Sequence, residues 1–294
     1  MALGGNQRIL VTGANGYLGS RLCNSLGEGW EVFAVVRSGS ELTRLEGGAI
    51  SLHMLYADEG DFFSEVLQIQ PEVVIHTATD YGGQDTRAKE VEWANLEWPR
   101  RLLEVFIKGG GSVFVNCDTS LPPAVNHYAF TKRAFRERLK IEGEAVQVIN
   151  LVMEHFFGPG DGRFVSFVVD QLRAGAHPLS LTAGEQRRDF LYVDDVVNAI
   201  LMVLEKRREV GPGYVEVGVG SGEARPLRER VEGIADLLGV SRDVLEFGAL
   251  PYRDNEPMCS VADVSILKGL GWSPANGFEE GILKMLRVSE GGSP

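Results

Sequence analysis

Cysteine is scarce in this chain. Cys23, Cys117 and Cys259 are widely separated and odd in number, so neither a disulfide framework nor a zinc spacing can be assembled from them. Long apolar runs are missing: none reaches the ~18 residues of a membrane span, and no membrane partner is expected. Basic residues are in deficit, 29 Lys and Arg against 41 Asp and Glu, a net charge of −12. That balance argues against nucleic acid as a ligand, because neutralising phosphates takes a basic face. His53, His76 and His177 lie in unrelated segments, so no metal site is expected. The N-terminal stretch lacks a secretory layout, its apolar core running straight into glycines. The expectation is a soluble protein of a reducing cytoplasm.

What is present is ordinary globular composition, 44% apolar and 24% charged over 294 residues. At about 150 residues per domain, that length suggests two domains or one with a large appendage. Short apolar runs at Arg8–Thr12, Glu31–Val36, Ser51–Tyr56, Glu72–His76, Ser112–Asn116 and Ala145–Val152 read as six buried strands, rich enough in Val, Ile and Leu for a parallel sheet covered on both faces. Helical patterns lie between them at Ser20–Leu26, Asp61–Ile69, roughly Thr86–Ile107 and His127–Ile141. This alternation predicts an α/β, doubly wound parallel sheet of the Rossmann type. After about residue 155 glycine and proline punctuate shorter elements. Helices are expected at Phe164–Ala174, Asp194–Glu205, Leu227–Leu238, Val261–Leu270 and Phe278–Leu286, with one clear strand at Tyr214–Val217. The expected organisation is a dinucleotide-binding domain over 1–154 and a smaller, irregular substrate lobe over 155–294, with roughly 187–217 returning to the first.

Two motifs carry chemistry. In the run Thr12-Gly13-Ala14-Asn15-Gly16-Tyr17-Leu18-Gly19, Gly13 permits a tight turn between strand and helix. Gly16 lets the backbone approach a pyrophosphate, and Gly19 allows close packing of helix on strand. Asn15, Tyr17 and Leu18 complete the loop, and the phosphates would lie on the amides and positive end of the helix. The second strand ends in Val36-Arg37-Ser38 with no acid. Arg37 can pair with a 2′-phosphate and Ser38 can donate to it, which favours NADP over NAD. The second motif is Tyr128-Ala129-Phe130-Thr131-Lys132. Positions i and i+4 share a helix face, where an ammonium stabilises a phenolate and readies the phenol to donate a proton to a carbonyl oxygen.

Together these motifs resemble the extended short-chain dehydrogenases/reductases, the nucleotide-sugar epimerases, dehydratases and ketoreductases, and the likeness runs from Ile9 to about Leu286. The resemblance implies that Asp58 lies near the adenine, that Thr77, Ala78 and Thr79 run beside the cofactor, and that Tyr128 and Lys132 serve as the catalytic pair. It calls for a serine or threonine just after the fifth strand. There the chain carries Cys117 at the ungapped position and Thr119 two residues on, and either can fill the role. Similar dehydratases carry an Asp-Glu pair here, whereas Asp118 is followed by Thr119, which demotes dehydration. The segment Asn116 to Pro123 with His127 to Lys132 is most similar to deoxysugar 4-ketoreductases of the CDP-abequose synthase-like kind.

In the second half, the segment around Arg188-Asp189-Phe190 and the tail Arg253-Asp254-Asn255-Glu256 to Pro274 resemble the family's R-D-F and R-x-G-D to L-G-W-x-P segments, with Asn255-Glu256 replacing Gly-Asp. The resemblance implies that Arg188 and Arg253 hold the diphosphate of a nucleotide-diphosphate sugar. Glu154 and His155 fall near the sugar, where His155 either orients substrate or satisfies a backbone carbonyl. Asp194 or Asp195 is expected to cap the following helix. His127 is expected to start its helix rather than to catalyse. The helix bearing Trp93, Leu96 and Arg100 should be amphipathic, its tryptophans core or a homodimer interface. The activity implied is NAD(P)H-dependent reduction of a 4-keto group on a nucleotide-linked deoxysugar. The alternatives are a 4-epimerase with tightly bound NAD and a non-catalytic NADP-binding sensor.

Overall fold

Ile9, Leu10 and Val11 have no solvent exposure, as expected of a strand whose two faces are both covered. The computed structural model describes residues 7–46, 48, 51–83, 87–175 and 178–290; Thr86 and His177 of the sequence reading lie outside them. In chain order the elements are β1 (Gln7–Thr12), α1 (Tyr17–Ser25), β2 (Trp30–Val36), β3 (Leu52–Tyr56), α2 (Phe62–Ile69), β4 (Val73–His76), α3 (Ala88–Glu92), α4 (Trp98–Lys108), β5 (Val113–Thr119), α5 (His127–Glu142), β6 (Gln147–Met153), β7 (His155–Phe157), α6 (Phe164–Arg173), β8 (Leu179–Leu181), β9 (Arg187–Tyr192), α7 (Val193–Glu205), α8 (Arg207–Val210), β10 (Tyr214–Val219), β11 (Ala224–Pro226), α9 (Leu227–Leu238), β12 (Leu245–Phe247), β13 (Cys259–Ser260), α10 (Ser265–Gly269) and α11 (Phe278–Glu290). No helix among the described residues is long and apolar enough to cross a membrane.

Seven strands form one sheet in the order β10-β6-β5-β4-β1-β2-β3. Its β3-β2, β2-β1, β1-β4 and β4-β5 pairs are parallel. This is the doubly wound architecture expected from the alternation of strands and helices. The order reverses at β1, which makes the ends of β1 and β4 the switch point at which such sheets bind ligands. The chain divides into two compact units, Met1–Val152 with Val203–Val217 and Met153–Met202 with Gly218–Pro294. Each has its own apolar core. Leu10, Val74, Leu102, Phe114, Phe135 and Leu139 centre the first; Val168, Leu172, Phe190, Ile234 and Ile282 centre the second.

Two departures from the sequence reading have physical causes. The helical pattern expected to run on to Ile107 is broken by a π-helical turn at Trp93–Glu97. Pro99 has no N–H to give the Asn95 carbonyl. The ladder shifts register and Trp98 N–H donates to the Trp93 carbonyl instead. Trp98 enters the core and stacks on Phe62, while Trp93 remains exposed. In the second unit, the strands β7, β8, β9, β11, β12 and β13 were not expected; most are two or three residues long, too short for a periodic signal. The helix expected over Val261–Leu270 shrinks to α10, since the Ala262 amide donates to Asp189 and the Ser265 amide to the Asp263 side chain.

Candidate active site

The glycine turn meets the steric demands read from its sequence. Gly13 has φ +64°, and a Cβ there would come within 2.8 Å of the Ala78 Cα. A Cβ on Gly19 would drive into the carbonyl oxygen of Gly13, so only glycine lets α1 start this close to β1. Gly16 precedes α1 with no side-chain cap, and the first turn holds no acid. An acid-free helix start of this kind is where an anionic group is favoured. Asn15 reaches across to the Glu41 carbonyl, Leu18 is buried, and the Arg21 guanidinium stacks 3.9 Å over the Tyr17 ring. The loop after β4 is stitched to the same turn. Thr77 Oγ1 donates to the Thr12 carbonyl at 2.6 Å, and Ala78 N–H donates to Thr12 Oγ1 at 3.2 Å.

At the end of β2, Arg37 and Ser38 are exposed. The hydroxyl that the sequence reading offers to a 2′-phosphate instead donates to Asp58. Ser38 N–H and Oγ each meet that carboxylate at 2.8 Å. The amide first and the hydroxyl second hold Asp58 below the usual carboxylate range, with Arg37 adding to the effect. The sequence contains no acid at the end of β2, yet the fold delivers one from the end of β3.

The third cluster surrounds α5. Asn126 caps the helix by accepting from Ala129 N–H at 2.8 Å, and α5 begins at His127, as expected. Tyr128 and Lys132 are buried one turn apart. The Lys132 ammonium donates to the Cys117 carbonyl at 2.7 Å. Burial pulls Lys132 below its ordinary value, while Asp118 and Cys117 push it up. The Cys117 thiol is pushed up to about 12 by burial, so it is a neutral, weak donor. Cys117 and Thr119 share a strand face, two residues apart. Thr119 Oγ1 accepts from Leu121 N–H at 3.2 Å and turns the loop, with its own proton still to give. His76 sits inside the sheet, bonded to Thr12 Oγ1 at 2.7 Å. Burial and the Lys132 charge hold it neutral, well below its ordinary value.

Some residues that matter here were missed in the sequence. Asn95, turned inward by the π-helical turn, is buried and joins Thr79, Asp80 and Thr131. It accepts from Thr79 Oγ1 and Asp80 N–H and donates to the Asp80 carbonyl and Thr131 Oγ1, at 2.8–3.1 Å. It thereby ties the β4 loop to α5. The Tyr81 ring on that loop lies 4.9 Å from the Tyr128 ring. A lone amide four residues before Pro99 was the available signal for Asn95; Tyr81 carried none.

The second unit holds the other predicted residues. Glu154 is buried and accepts from Ser260 Oγ at 2.8 Å, and His155 Nδ1 lies 3.7 Å from it. Arg188 is buried and ion-paired with Glu256. Arg253 is exposed, and its carbonyl accepts from Glu256 N–H at 3.2 Å. Asn255 has φ +58°, which explains why it can stand where the resemblance has glycine. Asp189 is a hub, accepting from Ser221, Gly222 and Ala262 amides. The expected helix cap is corrected: α7 starts at Val193, ahead of both acids. Asp195 instead accepts from the Ala275 and Asn276 amides. Among the described residues no group of three or more His, Cys, Asp or Glu could hold a metal ion.

Residues 9–218 match the NAD dependent epimerase/dehydratase family. The chain belongs to that family. It is 33% identical over 294 residues to the CDP-abequose synthase of Salmonella typhimurium, covering 95% of this chain and 97% of the relative. The UDP-glucuronic acid 4-epimerase of Bacillus cereus, solved with UDP-glucuronic acid and NAD, shares the fold with TM-score 0.83 at 21% identity. That match covers 97% of this chain and 99% of the other. The UDP-glucose 4-epimerase of Thermotoga maritima, solved with UDP-glucose, superposes with TM-score 0.80 at 22% identity over 97% and 99% of the two chains. As an epimerase/dehydratase family member of the extended short-chain dehydrogenase/reductase type, the protein is an NAD(P)-dependent oxidoreductase. Its residues fit the dinucleotide, because Gly13 at φ +64° and the close approach of Gly19 to the Gly13 carbonyl form the tight strand-to-helix turn that the motif requires, ahead of a helix start without an acid.

Proposed function

We propose that the protein reduces a 4-keto group on a nucleotide-linked deoxysugar with NADPH. The observation that carries reduction over dehydration is the position of Asp118. Its carboxylate is fully buried and taken up by Arg136, Asn150 and the Thr119 amide, so it is withheld from a substrate. The Salmonella relative named CDP-abequose synthase supports a nucleotide-linked deoxysugar as the substrate class. In this reading the first unit holds the cofactor on Gly13, Gly16, Gly19 and the start of α1, with Arg37 at the 2′-phosphate. The second unit supplies Arg188 and Arg253 for the diphosphate and Glu154 and His155 for the sugar.

A bound nicotinamide supplies the hydride. Tyr128 Oη gives its proton to the carbonyl oxygen. Lys132, held by the Cys117 carbonyl, stabilises the phenolate left behind. Thr119 Oγ1 or the Cys117 thiol polarises the carbonyl, and the hydroxyl is the better donor. Tyr128→Phe should lower turnover roughly a hundred- to ten-thousand-fold with cofactor binding intact, read as NADPH consumed with a CDP-linked 4-keto-6-deoxyhexose. Turnover at the wild-type rate would remove the mechanism. One observation favours a second reading, a 4-epimerase retaining NAD: the Asp58 carboxylate beside Ser38 is chemistry that suits a ribose hydroxyl. Tightly bound NAD in the purified protein, with no net consumption of added nicotinamide, would decide for it.

A further inference from the structure

Asp118 is the residue that the reaction above leaves unused. Its carboxylate makes three hydrogen bonds within the first unit. Its Oδ2 accepts from Arg136 Nε at 2.5 Å and from Asn150 Nδ2 at 2.9 Å; its Oδ1 accepts from Thr119 N–H at 2.8 Å. Asn150 is held in turn by Asn116 at 2.6 Å. Arg136 makes a second anchor, donating to the Thr119 carbonyl at 2.7 Å. Arg136 lies one turn beyond Lys132 on α5, and Lys132 donates to the carbonyl of the preceding residue, Cys117. Two cations on one helix face therefore clamp α5 to three consecutive residues at the end of β5.

We propose that Asp118 and Arg136 are positioning residues of the reductive site: their buried pair registers α5 against β5 and fixes the Asp118 carboxylate where it offsets the Lys132 charge. The proposal rests on the reading of Tyr128 and Lys132 as the reacting pair. A buried ammonium needs a counter-charge. The titratable and charged groups facing Lys132 are Cys117 and Asp118 from β5, His76 from β4, and Tyr128 and Arg136 from its own helix. Cys117 and His76 are neutral at physiological pH, and Arg136 is repulsive. Asp118 is the remaining acid in that set. Arg136 keeps it from turning into solvent, and Glu216, 3.9 Å from Arg136, completes the balance. The pairing also accounts for an aspartate that performs no dehydration in this reading.

The test is a titration of Lys132 in the full-length protein by NMR of isotope-labelled lysine, its signal assigned by loss in Lys132→Met. Asp118→Asn preserves the side-chain shape. It should bring the Lys132 midpoint down by about one pH unit or more, and the alkaline limb of kcat should move down with it. An unmoved midpoint overturns the proposal. Arg136→Lys keeps a cation but cannot hold both anchors. It should leave the Lys132 midpoint in place, speed amide exchange along Lys132–Arg136, and lower kcat about ten- to a hundredfold with the cofactor KM unchanged. Wild-type exchange and wild-type kcat in that variant overturn the proposal equally, and this arm carries the test if Asp118→Asn fails to fold. The NMR arm needs no substrate. An unmoved midpoint with an inactive Tyr128→Phe defeats only the Asp118–Arg136 proposal, whereas full turnover by Tyr128→Phe defeats the reductase reading itself.

Discussion

His76 shows how much one residue's chemistry depends on what surrounds it. In sequence it is a histidine at a strand end with no motif. In the fold it lies among the Trp98, Phe114 and Phe135 rings, bonded to Thr12 and facing the charge of Lys132. It is neutral in the folded state and takes up a proton freely, near pH ~6.5, in the unfolded one. A histidine depressed by folding contributes stability that is complete above that value and is lost as pH falls below it. The wild type should therefore lose up to about 1.4 kcal/mol per pH unit below pH ~6.5 relative to His76→Gln, measured by urea unfolding across that range. Parallel pH profiles for the two proteins would contradict a neutral buried His76. Tyr128 and Lys132 were legible because their spacing on a helix is itself the chemistry. Asn95 and Arg136 were not, since their roles exist only through partners 15 to 36 residues away.

At the scale of elements, the strand ends carry the groups that bear on the proposed cofactor choice. The β2 end presents Arg37 to solvent, and the β3 end sets Asp58 against Ser38. These two groups pull in opposite directions, Arg37 toward a 2′-phosphate and Asp58 toward a free ribose hydroxyl. A charge-assisted hydrogen bond is worth about 1.5–3 kcal/mol. Arg37→Ala should thus lower kcat/KM for NADPH roughly ten- to a hundredfold and leave NADH nearly unchanged. Equal losses with both cofactors would show that Arg37 does not read the phosphate. The six strands of the first half lie within two residues of their sequence-derived bounds at their starts; strands buried on both faces write themselves as Val- and Ile-rich runs, whereas β3, expected to be buried, is an edge strand of the sheet, partly covered, and holds neither residue. The π-helical turn was missed although Pro99 fell inside the expected Thr86–Ile107 helix, where a missing N–H is itself a signal of a break. The short strands of the second unit were hidden because two or three residues have no period.

For the whole molecule, a chain of net charge −12 would have to hold two anionic ligands in the proposed reaction, which calls for local donors because its overall field is repulsive. Ligand binding should then couple directly to folding. NADP added at ~100 times its Kd should raise the unfolding free energy by about 2.7 kcal/mol, read as an upward shift in Tm; no shift would deny the site its cofactor. The amino-acid sequence alone determined the alternation of strands and helices, the glycine turn and the Tyr128–Lys132 spacing, since each is written in residues close together along the chain. Tertiary structure decided which acid meets Ser38, which carboxylate pairs with Arg136 and which glutamate engages Arg188. Those pairings join residues 18 to 68 positions apart, and only the packing of separate elements brings such groups within hydrogen-bonding reach.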